Sequence, residues 1–155
     1  MDTLGQIIFA VLLNALPTLS DQVSPCVHQH RAEIAAHADA AWTTYGVPPA
    51  VILVVALFET HWGCDRRSGG GWGAPINATH RHIAGTPDRA ARILRRSFDV
   101  CGSWEGAVSM FRMGLCVPPE ERHVRYVATV MRWAERVQTR AHRALPDHFR
   151  RGGRR

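Results

Sequence analysis

Apolar residues along this chain recur mostly at intervals of three and four, the spacing of one face of an α-helix. Between Val27 and Tyr45, the positions Ile34, Ala38, Ala41, Trp42 and Tyr45 form one such stripe, and Gly46 stands where a left-handed residue stops a helix. Pro48-Pro49 then opens a second helix, from Ala50 to about His61, because proline in a first turn costs no amide hydrogen bond. Val51 through Phe58 is apolar on every side, so this helix is expected to be buried all round, with Gly63 as its stop. Three Val and one Ile in that run make a β-strand the competing reading. The double-proline start and the glycine stop favour the helix.

Three more helices follow. Thr86-Pro87-Asp88 reads as a capped start, with Ala90, Ala91, Ile93, Leu94 and Phe98 facing inward. Ser103 caps a short fourth helix whose inner residues are Ala107, Val108, Met110 and Phe111. After Pro118-Pro119 a fifth runs to about Val137 on a stripe of Val124, Val127, Val130, Met131, Ala134 and Val137, and beyond Arg140 the chain reads as a frayed tail. Between the second and third helices, residues 64–85 hold Gly69, Gly70, Gly71, Gly73, Trp72 and Pro75, a loop that must lie over something. The fold expected is all-α.

Ahead of these helices, Ile7 to Leu16 has the length of a signal-peptide core, but Asp2 stands where positive charge is expected and no small-x-small site precedes Asp21. The other reading is a buried first helix. The expected organisation is a hydrophobic or signal segment over residues 1–25, a domain over 26–139 and an Arg-rich tail over 140–155. The 155 residues are enough for one domain with a core of its own. Of the formal charge of +6, six Arg and one Asp from Thr139 onward carry +5, so the rest is near neutral. A basic tail is not the basic face that nucleic-acid binding needs; no nucleic acid is expected, and the tail allows at most weak contact with an anionic surface. Cys26, Cys64, Cys101 and Cys116 contain no CxxC pair, which argues against zinc and for two disulfides in an oxidising compartment. Buried free thiols are the alternative. Of three connectivities, Cys101 with Cys116 and Cys26 with Cys64 each tie a helix end to a neighbouring loop.

Glu59 is the first candidate for chemistry. It ends the most hydrophobic helix, where burial and the negative end of the helix dipole both disfavour its charged form, as a general acid requires. An exposed Glu, or one paired with Arg66 or Arg67, is the plain structural reading. Trp62 and Trp72 flank it and offer flat indole faces on which a sugar ring can stack; core packing is the alternative for Trp62. Trp104 and Trp133 fall on helix faces and read as core. His28 with His30 and His80 with His82 are spaced wrongly for one helix face, so no metal is expected, and no motif calls for a cofactor.

Four stretches in order resemble the soluble lytic transglycosylases and their goose-type lysozyme relatives. Val47-Pro48-Pro49-Ala50 through Phe58-Glu59-Thr60 is similar to the family helix that ends in the catalytic Glu, with Thr60 in place of its Ser. Gly71-Trp72-Gly73 stands where the family has its glycine-rich cleft turn, Phe111-Arg112-Met113-Gly114 where it has an "AYNxG" helix, and Tyr126-Val127 where it has a "YV" helix. The resemblance implies a lysozyme-like fold and cleavage of the β-1,4 bond between N-acetylmuramic acid and N-acetylglucosamine in peptidoglycan by an exported monomer, periplasmic or extracellular. Glu59 would be the catalytic acid, with Thr60, Trp62, Gly71, Trp72, Gly73, Phe111, Arg112, Gly114 and Tyr126 around the substrate and Tyr126 able to contact the carboxylate. A hydrolase would need a second carboxylate, for which Asp65, Asp99 and Glu105 are the candidates. The family's Gln after the glycine turn is absent, and its Tyr and Asn are Phe111 and Arg112. These departures make an inactive glycan- or protein-binding module the rival reading.

Overall fold

A computed structural model describes residues 2–65, 71–73 and 85–144. Its helices are α1 (Leu4–Ala15), α2 (Ser24–Gln29), α3 (Arg31–Tyr45), α4 (Pro49–Thr60), α5 (Pro87–Cys101), α6 (Trp104–Met113) and α7 (Glu121–Ala144), and there is no strand among the described residues. The fold is all-α, as the periodicity predicts.

The organising element is α4. Every residue from Pro49 to Leu57 is buried, because α1, α3, α5 and α7 all pack around it. The chain enters α4 from Gly46, whose φ of 66° ends α3 in the left-handed conformation. Thr86 and Ser103 cap α5 and α6 as expected, accepting from the amides of Arg89 and Gly106 at 3.2 and 3.0 Å. Helix α6 packs on α5 and α7 and so reaches the C-terminal end of α4 from outside.

The hydrophobic segment near the N-terminus is part of the core. A reciprocal capping box between Thr3 and Gln6 starts α1, and Ile8, Phe9 and Leu12 are wholly buried. Gly5 lets α1 lie directly on α3: a Cβ there would stand 2.5 Å from the Ala35 carbonyl oxygen, and its amide donates to Asp39 at 2.7 Å. The Phe9 ring meets the Trp62 indole edge-on at 5.0 Å. No helix among the described residues is long and apolar enough to cross a membrane. Both disulfides are those preferred from the sequence, Cys26–Cys64 and Cys101–Cys116, a pairing suited to an oxidising compartment.

Several local expectations are corrected. The helix expected from Val27 to Tyr45 is broken at His30, which closes α2 and starts α3 with its ring bonded to Glu33 of the new first turn at 3.0 Å. Trp42 is not on the inner face but 48% exposed, because α3 buries Ile34, Ala35, Ala38 and Ala41 instead. It borders an apolar cavity of about 520 Å³ with Leu4, Pro49, Val51 and Met131. The stop of α4 is not Gly63 but His61, a non-glycine residue at φ 48°. Val124 is exposed, since the stripe of α7 begins at Val127. That stripe continues one turn past Val137 to the fully buried Ala141, so the helix runs on to Ala144 where a frayed tail was expected beyond Arg140; residues 145–155 lie outside the described residues.

Replacing Phe9 with Ala empties a fully enclosed site between α1 and the turn after α4. The expected cost is about 3–5 kcal/mol in denaturant unfolding. A stability equal to that of the wild type would mean that α1 does not belong to the core.

Candidate active site

Glu59 lies in the last turn of α4, where the alternation of neighbours changes: Phe58 is 39% exposed, Thr60 is buried, and the Glu59 side chain keeps only 8% of its surface. A carboxylate so enclosed needs hydrogen bonds or a counter-charge, and both arrive from distant parts of the chain. Arg112, in the last turn of α6, directs Nη1 to both carboxylate oxygens at 2.9 Å. Tyr126, early in α7, donates its hydroxyl to Oε1 at 2.5 Å. The guanidinium also sits over the Tyr126 ring, 4.7 Å from its centre, and Phe58 meets the same ring edge-on at 6.4 Å.

Gly73 closes the group from the loop side. A Cβ at Gly73 would stand 2.9 Å from Cβ and 3.0 Å from Cγ of Glu59, and its φ of 94° is a conformation that side chains disfavour. Glycine is therefore required for the loop to approach so closely. The loop is held there by two backbone hydrogen bonds, Trp72 N–H to the Gly85 carbonyl at 2.8 Å and Gly85 N–H to the Gly73 carbonyl at 2.9 Å. Phe111 lies beneath, its Cε1 3.6 Å from the same hypothetical Cβ.

Of the residues expected around the substrate, the structure thus brings Gly73, Phe111, Arg112 and Tyr126 to Glu59. Others serve the scaffold. Thr60 is buried and braces the turn: its hydroxyl accepts from the Gly63 amide at 3.0 Å and donates to the Ala56 carbonyl at 3.4 Å. Trp62 is 3% exposed, its indole N–H donating to the Leu53 carbonyl at 2.8 Å, so it is core and not a sugar platform. Trp72 is 2% exposed, with His37 edge-on at 5.5 Å. Both indoles border a cavity of about 220 Å³ formed with His30, Glu33 and His37. Gly71 is buried beside Trp72, and Gly114 is the left-handed cap of α6, at φ 76°. Among the candidate second carboxylates, Asp99 is bound to Arg95 at 2.8 Å, Glu105 is in the first turn of α6, remote from Arg112 in its last turn, and the amide of Asp65 caps the Thr60 carbonyl. Arg66, Arg67, Gly69, Gly70, Ala74, Pro75, His80 and His82 lie outside the described residues.

The role of Arg112 as the partner of Glu59 is not legible in the sequence. No local pattern carries that contact, because 53 residues separate the two. Nor is the turn geometry legible there: His61, Trp62 and Gly63 all have positive φ, at 48°, 56° and 81°. Two such non-glycine residues in succession are costly and persist only where the surroundings fix them. Here the buried indole, the Thr60 hydroxyl and the Cys26–Cys64 bridge do so.

No known family's model, no curated protein and no solved structure matches this chain.

Burial raises the pKa of Tyr126 well above that of a free phenol, and the negative charge of Glu59 and the hydrogen bond to it raise it further, with Arg112 opposing. Tyr126 is therefore a standing donor. Its tight proton adds stability that is fully present below the unfolded value of 10.0 and is lost as pH rises through and beyond it. Wild type should accordingly lose about 1.4 kcal/mol per pH unit above that value relative to Tyr126→Phe. Denaturant unfolding of both proteins across that range tests this, and parallel curves would mean that Tyr126 ionises as freely folded as unfolded.

Proposed function

We propose that this chain is a lysozyme-like lytic transglycosylase that cleaves the β-1,4 bond between N-acetylmuramic acid and N-acetylglucosamine in peptidoglycan strands, with Glu59 as its acid and base. The observation that carries this reading is the meeting of Glu59 with the Tyr126 hydroxyl and Gly73. A carboxyl at the end of a buried helix is held by a neutral donor and closed over by a glycine loop. That is the arrangement the resemblance implies for a single-carboxyl site.

The reaction needs one group in two roles. Glu59, protonated, gives its proton to the bridging oxygen as the bond from that oxygen to the muramyl anomeric carbon breaks. As carboxylate it then takes the proton of the muramyl 6-hydroxyl, whose oxygen closes on the anomeric carbon to leave a 1,6-anhydro end. Atoms balance without water, and the carboxyl ends as it began. Tyr126 binds Oε1, so Oε2 is the oxygen to carry the proton once Arg112, which donates to it at 2.9 Å, has withdrawn. Export to an oxidising compartment, periplasmic or extracellular, accords with the two disulfides. The buried α1 accords with retention of that helix in the working protein.

Arg112 favours a second reading. It occupies both oxygens of Glu59 in the structure, and a permanently closed pair would make the chain a glycan-binding module without turnover. The two readings separate in one experiment: mass spectrometry of fragments released from purified peptidoglycan by the oxidised wild type and by Glu59→Gln. Anhydro-muramyl ends from the wild type alone, falling by about a thousandfold or more in the variant, are expected on the scale of an enzyme losing its acid–base group. Reducing ends would instead point to a hydrolase. No fragments from either folded protein would leave the binding module.

A further inference from the structure

Arg112 and Glu59 differ sharply in access to solvent. The arginine side chain is 43% exposed and the carboxylate 8%. A ligand approaching from solvent therefore meets the guanidinium before it meets the acid. Both contacts to Glu59 are made through Nη1, and a guanidinium carries N–H donors on two further nitrogens in a flat fork that fits a carboxylate. We propose that Arg112 is a specificity-determining gate, which releases Glu59 by exchanging its carboxylate for one on the glycan beside the bond to be cut.

The proposal rests on Glu59 being the reacting acid. Its physical basis is the enclosure of the pair. Drawing the guanidinium away breaks an ion pair on a carboxylate shielded from water; an anion that takes up the guanidinium repays the lost pairing, and Glu59, left without its counter-charge, takes a proton from solvent. A hydroxyl or acetamide of a neutral sugar offers only a neutral acceptor. A carboxylate replaces one ion pair with another, and frees Oε2 in the same movement. Muramyl residues meet this need through the lactyl ether, which ends in a carboxyl group when no peptide is attached. A stem peptide brings carboxylates of its own, and chitin has none. Arg112 contacts the face of the Tyr126 ring, while the phenol holds Oε1 through its hydroxyl.

The test uses the full oxidised chain and isothermal titration with four probes. These are a peptide-free muramyl tetrasaccharide with free lactyl carboxylates, the same sugar with those groups reduced to alcohols, a peptide-bearing tetrasaccharide, and chitotetraose. Wild type is expected to bind the free-carboxylate sugar at least about tenfold tighter than its reduced form, the scale of one hydrogen bond to a charged group. Preference for the peptide-bearing sugar over the peptide-free one would assign the anion to the peptide. Arg112→Gln should erase the preference, and Arg112→Lys should restore part of it, with thermal unfolding reporting that each variant is folded. If Arg112→Gln does not fold, the Lys variant together with the wild-type preference decides the matter.

Equal binding of carboxylate and reduced forms by the wild type overturns the proposal, as does a preference unchanged in a folded Arg112→Gln or no binding of any probe. A carboxylate preference that depends on Arg112 but comes without anhydro products from any probe sinks the transglycosylase reading and leaves Arg112 as the carboxylate-binding residue of a glycan-binding module. Anhydro products formed equally from both sugar forms keep that reading and sink the gate.

Discussion

A carboxylate at the end of a helix buried on every side has to be given its partners from elsewhere in the chain. Helix α4 can supply none: its residues are apolar from Ala50 to Phe58, and its own C-terminal carbonyls repel a negative charge. The arrangement of the last third of the molecule answers that need. Helix α6 ends with Arg112 over the carboxylate, and α7 begins with Tyr126 under one of its oxygens. Both helices start with a cap or a proline pair that fixes where they begin. An apolar pair of the same shape would cost less to bury, so stability alone does not account for the choice of residues.

The turn that follows Glu59 is as constrained as the site. Three consecutive residues with positive φ carry the chain out of α4, and each anchor comes from a different part of the fold. The indole of Trp62 returns to the Leu53 carbonyl inside α4 and packs on Phe9 of α1. Cys64 is tied to α2. The backbone position of Glu59 is therefore fixed by helices far from it in sequence, and the N-terminal helix contributes to the site without touching it. The loop glycine completes the enclosure because no larger residue fits between its backbone and the Glu59 methylenes.

What could be read from the sequence was what short-range physics determines. Proline pairs, Thr86, Ser103 and Gly46 marked helix ends correctly, because caps act within one turn. The uniform apolarity of residues 51–58 announced a central helix and placed Glu59 at its end. The two disulfides are the pairing preferred because each ties a helix end to a loop, one of three that four cysteines allow. The failures share a cause as well. The break at His30, the exposure of Trp42 and the burial of Trp62 depend on which neighbours arrive, and Arg112 and Tyr126 reach Glu59 across 53 and 67 residues. Tyr126 was legible only through a resemblance, and the ion pair was not legible by any route, since the resemblance puts an Asn at that position. The tail shows the same limit on a smaller scale: one further apolar residue in register, Ala141, was enough to extend α7 past the expected end.

If Glu59 is the single acid proposed above, its two partners suit different moments of the cycle. A phenol that keeps its proton can donate to Oε1 whether or not the other oxygen carries a proton, so in the proposed cycle Tyr126 would serve the acid and the base alike. A guanidinium has donors only and a fixed positive charge, which matches the carboxylate and competes with a ligand for Oε2. On the proposed reading, the partner needed throughout should be the better enclosed, and the partner that must yield should face solvent. Tyr126 is part-buried between Phe58 and the carboxylate, while Arg112 stands outermost with 43% of its side chain exposed. On that reading, the difference in burial between two residues bound to one oxygen follows from what each does when a ligand enters.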